Sequence, residues 1–337
     1  MTLSSMTPTP YASNFDAPLR ERTPHVAVIG CGRWGRNLAR NFHYLEALGA
    51  LCDLDKEHLL AVGKAYEGIP LTSRPDKIFQ NPDIDAVVIA TPSHSHFALA
   101  SAALQAGKHV YVEKPMAIRR DDAQALCELA DQTDRILMVG HLLLYHPAVT
   151  RLRQLIEEGF LGEIRYIQSD RLNINPWRQD VSVLWDLAPH DLSMMAYLLG
   201  AQPDRIISAQ GHRTSPDQRI DVAHLELAFP GGADGRPIGG HIHVSWIHPH
   251  KHVKLIVRGS ERTAVLDDTL ESGKLQIFRK EDDPIPVREF ADYLAIEPLK
   301  LECQHFLNCV RDNHPPRTDA ADGCAIVGLL EAAHALI

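Results

Sequence analysis

The sequence predicts an α/β protein in two parts: a doubly wound parallel sheet, then an α/β domain with a large open, mostly antiparallel sheet. Three observations carry this reading. Strand-like and helix-like runs alternate from His25 to Gly140. A glycine-rich turn stands where the first strand meets the first helix. Beyond residue 200, strand-like runs follow one another with turn signals between them.

In the first part, HVAVI (His25–Ile29) is a short β-rich run ending at Gly30, and Arg33–Leu48 shows helical periodicity. Ala50–Cys52 is apolar and stops at Asp53, and Asp55–Tyr66 reads as a helix. DAVVIA (Asp85–Ala90) is continuously apolar, as a strand buried on both faces of a parallel sheet must be. An Ala-rich helix (Ser93–Ala106), a strand (Lys108–Glu113), a helix (Arg119–Gln132) and a strand (Arg135–Gly140) complete the alternation expected of βαβ units. The pattern changes near residue 145. A helix (Pro147–Glu158), a long strand (Glu163–Asn173) and a helix at about Leu184–Leu199 lead into strands at Arg205–His212, Ile220–Ala228, Gly240–Trp246, Val253–Arg258, Thr263–Leu266 and Leu275–Arg279. Helical sequence at Pro298–Cys309 and Asp319–Ile337 ends the chain. The organisation expected is therefore a polar arm at 1–22, a first α/β domain at 23–145 and a second domain at 146–337.

The 337 residues carry a net charge of −9 and the basic residues form no block. Nucleic acid and anionic membrane surfaces both call for a positive patch, so neither is expected as a partner. No apolar stretch approaches the ~18–20 residues of a membrane span. The six cysteines include no C-x-x-C pair, which fits reduced thiols and a cytoplasmic location.

Gly30-Cys31-Gly32-Arg33-Trp34-Gly35 is a G-x-G-x-x-G between a strand and a helix. Glycines there permit a tight turn and close approach of backbone to a pyrophosphate lying on the helix N-terminus, as in a Rossmann domain. Asp53, ending the next strand, would accept hydrogen bonds from the adenosine ribose and repel a 2′-phosphate, which favours NAD over NADP; Lys56 is the residue that argues the other way. Ligands of open α/β sheets sit at the carboxyl ends of the strands. Thr91-Pro92, with His94 and His96 just beyond, and Glu113-Lys114-Pro115 lie at that edge. Lys114 would stand beside the nicotinamide, aimed by a cis bond at Pro115, or it is a surface lysine before a turn. Asp186 and His190 are four apart and share a helix face, with Pro189 suited to a first turn. They read either as a base with its carboxylate or as a capping pair. His241, His243, His248, His250 and His252 lack a Cys or acidic partner at zinc-type spacing, and period-two strand spacing accounts for them without a metal. Arg165, Arg171, Arg178 and Lys251 are candidate cations for an anionic group, and Asn173 lies beside them. Tyr145, Trp177 and Trp246 are candidate stacking rings, with core packing the simpler reading of Trp246.

The segments VAVIGCGRWGRNLARNF, AVVIATPSHSHFALASAALQAGKHVYVEKPMA and DLAPHDL resemble the glucose–fructose oxidoreductase/inositol dehydrogenase/MocA family from about residue 24 to the C-terminus. The resemblance implies a Rossmann domain followed by a domain whose open sheet carries the substrate site and builds a dimer or tetramer. It implies a catalytic lysine at Lys114 and an acid–base pair at Asp186 and His190. NLARNFHYLEALGALCD, GHLLLYHPAV, IRYIQSDRLN and HVSWIHPHKHVKLIVRGSERTAVLDDT look like the nucleotide-sugar 3-dehydrogenases of bacterial lipid A and surface-polysaccharide synthesis. That implies UDP-N-acetylglucosamine or its 6-carboxylate as substrate and a 3-keto product consumed by an aminotransferase. Other sugar or polyol dehydrogenases share the fold, as does a non-catalytic NAD-sensing regulator; Lys114, Asp186 and His190 together speak against the last.

Overall fold

The computed structural model describes residues 23–174, 181–214, 216, 218–232, 235–279 and 288–337. The first sheet has six parallel strands in the order β3-β2-β1-β4-β5-β6: β1 Val26–Ile29, β2 Leu48–Cys52, β3 Leu71–Thr72, β4 Ala86–Ile89, β5 His109–Glu113 and β6 Leu137–Gly140. The apolar runs VAVI and AVVI are buried at every residue because helices cover both faces. Period two divides each strand between two cores. Val26 and Val28 face α1 (Arg33–Tyr44) through Leu38 and Phe42; Ala27 and Ile29 belong to the core of α4 (His96–Gln105) and α5 (Arg120–Thr133). The first helix stops short of the expected Leu48, since the chain turns at Glu46 with φ 55° and enters β2. The short β3 and α3 (Pro75–Phe79) lie between α2 (Lys56–Gly63) and β4 and have no counterpart in the sequence reading.

The second sheet has eight strands in the order β14-β13-β12-β11-β7-β10-β9-β8, antiparallel except for β10 against β7. These are β7 Ile164–Ile174, β8 Arg205–His212, β9 Val222–Phe229, β10 Ile238–Ser245, β11 Ile247–Gly259, β12 Arg262–Asp267, β13 Leu275–Arg279 and β14 Arg288–Phe290. Ile167, Leu225, Leu227, Ile242, Val244, Leu255 and Val257 form the core with α6 (Pro147–Glu157) and α7 (Val183–Leu199). Alternation turns His224, His241 and His243 to the outer face, where His224 and His243 stack at 4.1 Å and His241 Nδ1 lies 2.8 Å from Glu226. Among the described residues no group of three or more His, Cys, Asp or Glu could hold a metal.

The C-terminal helices α8 (Pro298–Asp312) and α9 (Ala320–Leu336) close over the first sheet. Phe306 of α8 packs edge-on against Phe42 and Tyr111. Ahead of α9, Val139 N donates to Thr318 O (2.8 Å), so this segment adds to the sheet at β6. Helix α9 also touches α5, α7 and β8, and the contacts of 298–337 thus span both sheets. Among the described residues no helix is long and apolar enough to cross a membrane.

One buried ion pair pins α7 to the second sheet. Asp191 is fully buried; Arg171 donates to it through Nε (3.1 Å) and Nη2 (2.8 Å), and Ser169 Oγ adds a third bond (2.7 Å). Removing one partner strands the other charge. Asp191→Ala is expected to lose about 3–5 kcal/mol in urea unfolding, and pairing it with Arg171→Met is expected to recover part of that loss.

Candidate active site

The turn after β1 is built around backbone proximity. Gly30 has φ +95°, and a Cβ there would lie 2.6 Å from the Ala90 carbonyl oxygen. A Cβ on Gly35 would overlap the Gly30 carbonyl, so this glycine lets α1 rise directly over the turn. Gly32 differs, because a Cβ there would meet nothing within 4 Å. The space it leaves opens at the N-terminus of α1, which has no side-chain cap and no acidic residue in its first turn. Such an end offers amide donors and positive dipole to a pyrophosphate. Asp53 at the end of β2 receives Cys31 N (2.6 Å) and Asp55 N (2.9 Å), which fixes its carboxylate beside the glycine turn. Open cradle, uncapped helix and anchored carboxylate together fit a dinucleotide with a free ribose diol. Arg33 is exposed at the start of α1.

Strands β4 and β5 bring the remaining groups to the same edge. Thr91 Oγ1 meets Ser95 Oγ at 2.7 Å, beside the exposed Pro92. Trp34 Nε1 donates to Glu113 Oε1 and ties α1 to the end of β5. Burial pushes the Glu113 carboxyl up to about 7, against the opposing pull of Lys114 and Trp34. The Lys114–Pro115 bond is cis. His96, expected to touch the cofactor, is instead fully buried, its ring nitrogens 2.8 Å from the carbonyl oxygens of Thr91 and Pro115. It staples the ends of β4 and β5 together.

Lys114 reaches α7, where its Nζ donates to Asp186 O (2.7 Å) and Oδ1 (3.1 Å), with both side chains largely buried. The helix begins at Val183, so Pro189 lies inside it rather than in its first turn. A proline there has no N–H for the Trp185 carbonyl and crowds it, loosening the turn from which Asp186 O faces the lysine. Asp186 is thus the partner of Lys114. His190 lies one turn further on the same face. Burial holds its imidazole well below the usual histidine range, reinforced by the charges of Lys114 and Arg171, so the ring rests neutral and able to accept a proton.

The other candidates separate. Arg171 commits Nε and Nη2 to Asp191 and serves the fold. Tyr145 is 3% exposed, with its hydroxyl 3.4 Å from Thr318 Oγ1 and Arg317 over its ring; it belongs to the core and not to a stacking site. Trp246 is core, at 1% exposure. Asn173 Oδ1 is buried and has no hydrogen-bond partner among the described residues. Arg165 lies six residues before Arg171, about 20 Å along the strand at ~3.3 Å per residue. Lys251 is exposed on the stretch of β11 between its Ile247 and His252 pairings with the end of β7. Trp177 and Arg178 lie outside the described residues. His141, absent from the sequence reading, is buried behind β6 in the field of Lys114. Its position immediately after a strand of the parallel sheet was the signal available for it.

The glycines have separable roles. Gly32→Val is expected to leave thermal unfolding unchanged while weakening NAD binding by at least about tenfold, or 1.4 kcal/mol. Gly35→Ala is expected to lower the unfolding temperature itself. Calorimetric titration and thermal scans check both.

Comparison with known proteins places the chain in a family. Residues 25–141 match the oxidoreductase family with an NAD-binding Rossmann fold, and residues 149–265 match the GFO/IDH/MocA C-terminal domain. The chain is 29% identical over 304 residues to a UDP-N-acetylglucosamine 3-dehydrogenase of Acidithiobacillus ferrooxidans, covering 88% of this chain and 92% of that protein. A solved structure of the UDP-N-acetylglucosamine 3-dehydrogenase from that organism superposes with a TM-score of 0.79 at 26% identity, covering 93% of this chain and 96% of that one. The scyllo-inositol 2-dehydrogenase (NAD(+)) of Bacillus subtilis is 26% identical over 320 residues, 88% of this chain and 89% of the other. With both family domains present in order and the cofactor turn intact, the chain belongs to the GFO/IDH/MocA family of NAD-binding oxidoreductases.

Proposed function

We propose that this protein oxidises the 3-hydroxyl of UDP-N-acetylglucosamine to a 3-keto sugar nucleotide. The observation that carries the reading is the junction of Lys114, Asp186 and His190 at the carboxyl edge of the NAD-binding sheet. The length-wide similarity to a UDP-N-acetylglucosamine 3-dehydrogenase supports the substrate. His190 Nε2 takes the proton of the 3-hydroxyl. Lys114 Nζ, held by Asp186, donates a hydrogen bond to the oxygen as it becomes a carbonyl. The Gly30–Gly35 cradle and Asp53 would hold NAD, which would supply the acceptor for the hydride of C3. The sugar diphosphate calls for local cations on a chain of net charge −9, and Lys251 beside the end of β7 is suited to it.

The ketone is consumed by an aminotransferase giving a 3-amino sugar nucleotide, in the cytoplasm where both cofactor and sugar nucleotide are made. A second copy of the chain covers the open face of the second sheet.

NADH formation in an assay coupled to a UDP-sugar 3-aminotransferase tests the reading. UDP-N-acetylglucosamine is expected to turn over, and its 6-carboxylate and scyllo-inositol are not. Faster turnover of either would reassign the substrate. Lys114→Ala and His190→Asn are each expected to lower kcat by ~10²–10⁴-fold while NAD affinity stays unchanged. Rates near wild type in both variants would remove the assignment.

A further inference from the structure

Cys31, Cys52, Cys303 and Cys309 are buried, whereas Cys127 of α5 and Cys324 of α9 are half-buried and stand together. Three contacts fix how their helices run. Arg120 N donates to Glu331 Oε1 (3.4 Å), Cys324 Sγ to Gln124 Oε1 (3.6 Å), and Cys127 Sγ to the Ala320 carbonyl oxygen (3.1 Å). As residue numbers rise along α5 they fall along α9, so the pair is antiparallel. Each thiol therefore touches the facing helix one turn ahead of the other thiol.

Side chains on a helix lean toward its N-terminus. On an antiparallel pair offset in this way, the lean carries Cys127 toward the level of Cys324 and Cys324 toward the level of Cys127. The helices are also close. A cysteine side chain is short, and here it reaches a backbone carbonyl of the helix opposite. Ala123 of α5 and Ala320 of α9 pack into the same core and keep large side chains out of the crossing. Turning each sulfur from its present acceptor brings the two within bonding reach. Neither thiol has a part in the chemistry proposed above.

We propose that Cys127 and Cys324 form a reversible disulfide when the protein meets hydrogen peroxide, and that the bond ties α9 to the NAD-binding domain. Helix α9 also touches α7 and β8 of the second domain, so the bond fastens the two domains to each other. Cys324 reacts first, because its contact with Gln124 lies at the surface. Its sulfur attacks the peroxide and the O–O bond breaks. One oxygen stays on sulfur as a sulfenic acid, and the other leaves as water with the thiol proton. The Cys127 sulfur then attacks that sulfur. The S–S bond forms, the S–O bond breaks, and a second water leaves with the Cys127 proton. Two thiols lose two electrons and the peroxide gains them. Burial and the neighbouring Cys324 push the Cys127 thiol up to about 12, so it stays protonated at rest and reacts second.

The test uses the full chain and no substrate, so its outcome is independent of the proposed reaction. The protein is treated with hydrogen peroxide, its remaining thiols are alkylated after unfolding, and unreduced peptides are mapped by mass spectrometry. One cross-link is expected, between the Cys127 and Cys324 peptides of a single chain, and dithiothreitol is expected to remove it. The bond closes a loop of about 200 residues in the unfolded chain, so oxidation is expected to raise the unfolding temperature by several degrees. In Cys127→Ser the sulfenic acid is expected to accumulate on Cys324, where dimedone traps it, with no cross-link and no thermal shift. Cys324→Ser is expected to show neither adduct nor cross-link. Wild-type protein that keeps all its thiols, that carries oxidised Cys324 without a cross-link, or that links two copies of the chain instead would overturn the inference.

Discussion

The ammonium group of Lys114 is held by a carbonyl and a carboxylate from a single residue of another domain, and the site depends on that bond. Lys114 directly follows β5 of the NAD-binding sheet, and Asp186 lies in the first turns of α7, which packs on the second sheet. A largely buried charge pair is costly to break from one side, by about 3–5 kcal/mol. The bond therefore holds the NAD-binding domain and the helix that carries His190 in one register. It also keeps a cation beside His190, which together with burial leaves the imidazole neutral and ready to take a proton.

The second buried pair performs a different service. Arg171 and Asp191 lock α7 onto the sheet one residue beyond His190, so His190 stands on a helix turn pinned on both sides. Trp34, bonded to Glu113, links the cofactor helix to the strand that carries the lysine. The glycine turn, Lys114 and α7 are thus tied through short contacts, and α8 and α9 cover the sheet from outside with Phe306 and the Thr318 bridge.

Local chemistry was legible in the sequence and tertiary burial was not. Gly30, Gly32, Gly35 and Asp53 sit at sequence spacings that a strand–turn–helix imposes, and Lys114 and His190 stand at a strand end and one helix turn from a carboxylate. These signals need only neighbours along the chain. The roles of Arg171, Tyr145 and His96 depend on what packs over them: Asp191 takes the arginine's fork, Thr318 and Arg317 enclose the tyrosine, and two carbonyls claim the histidine. Two-residue β3 and five-residue α3 are too short to show a period. The spacing of Asp186 and His190 suits either a base with its carboxylate or a capping pair, whereas the fold brings Lys114 to Asp186 across 72 residues of chain.

A double-mutant cycle between Lys114 and Asp186 tests this account most directly. With Lys114→Met, Asp186→Leu and the double variant compared in kcat/KM, the Lys114–Asp186 bond predicts strong non-additivity: once the lysine is gone, removing the carboxylate costs little more. Additive losses across the cycle would contradict it, because each residue would then act on the reaction independently of the other.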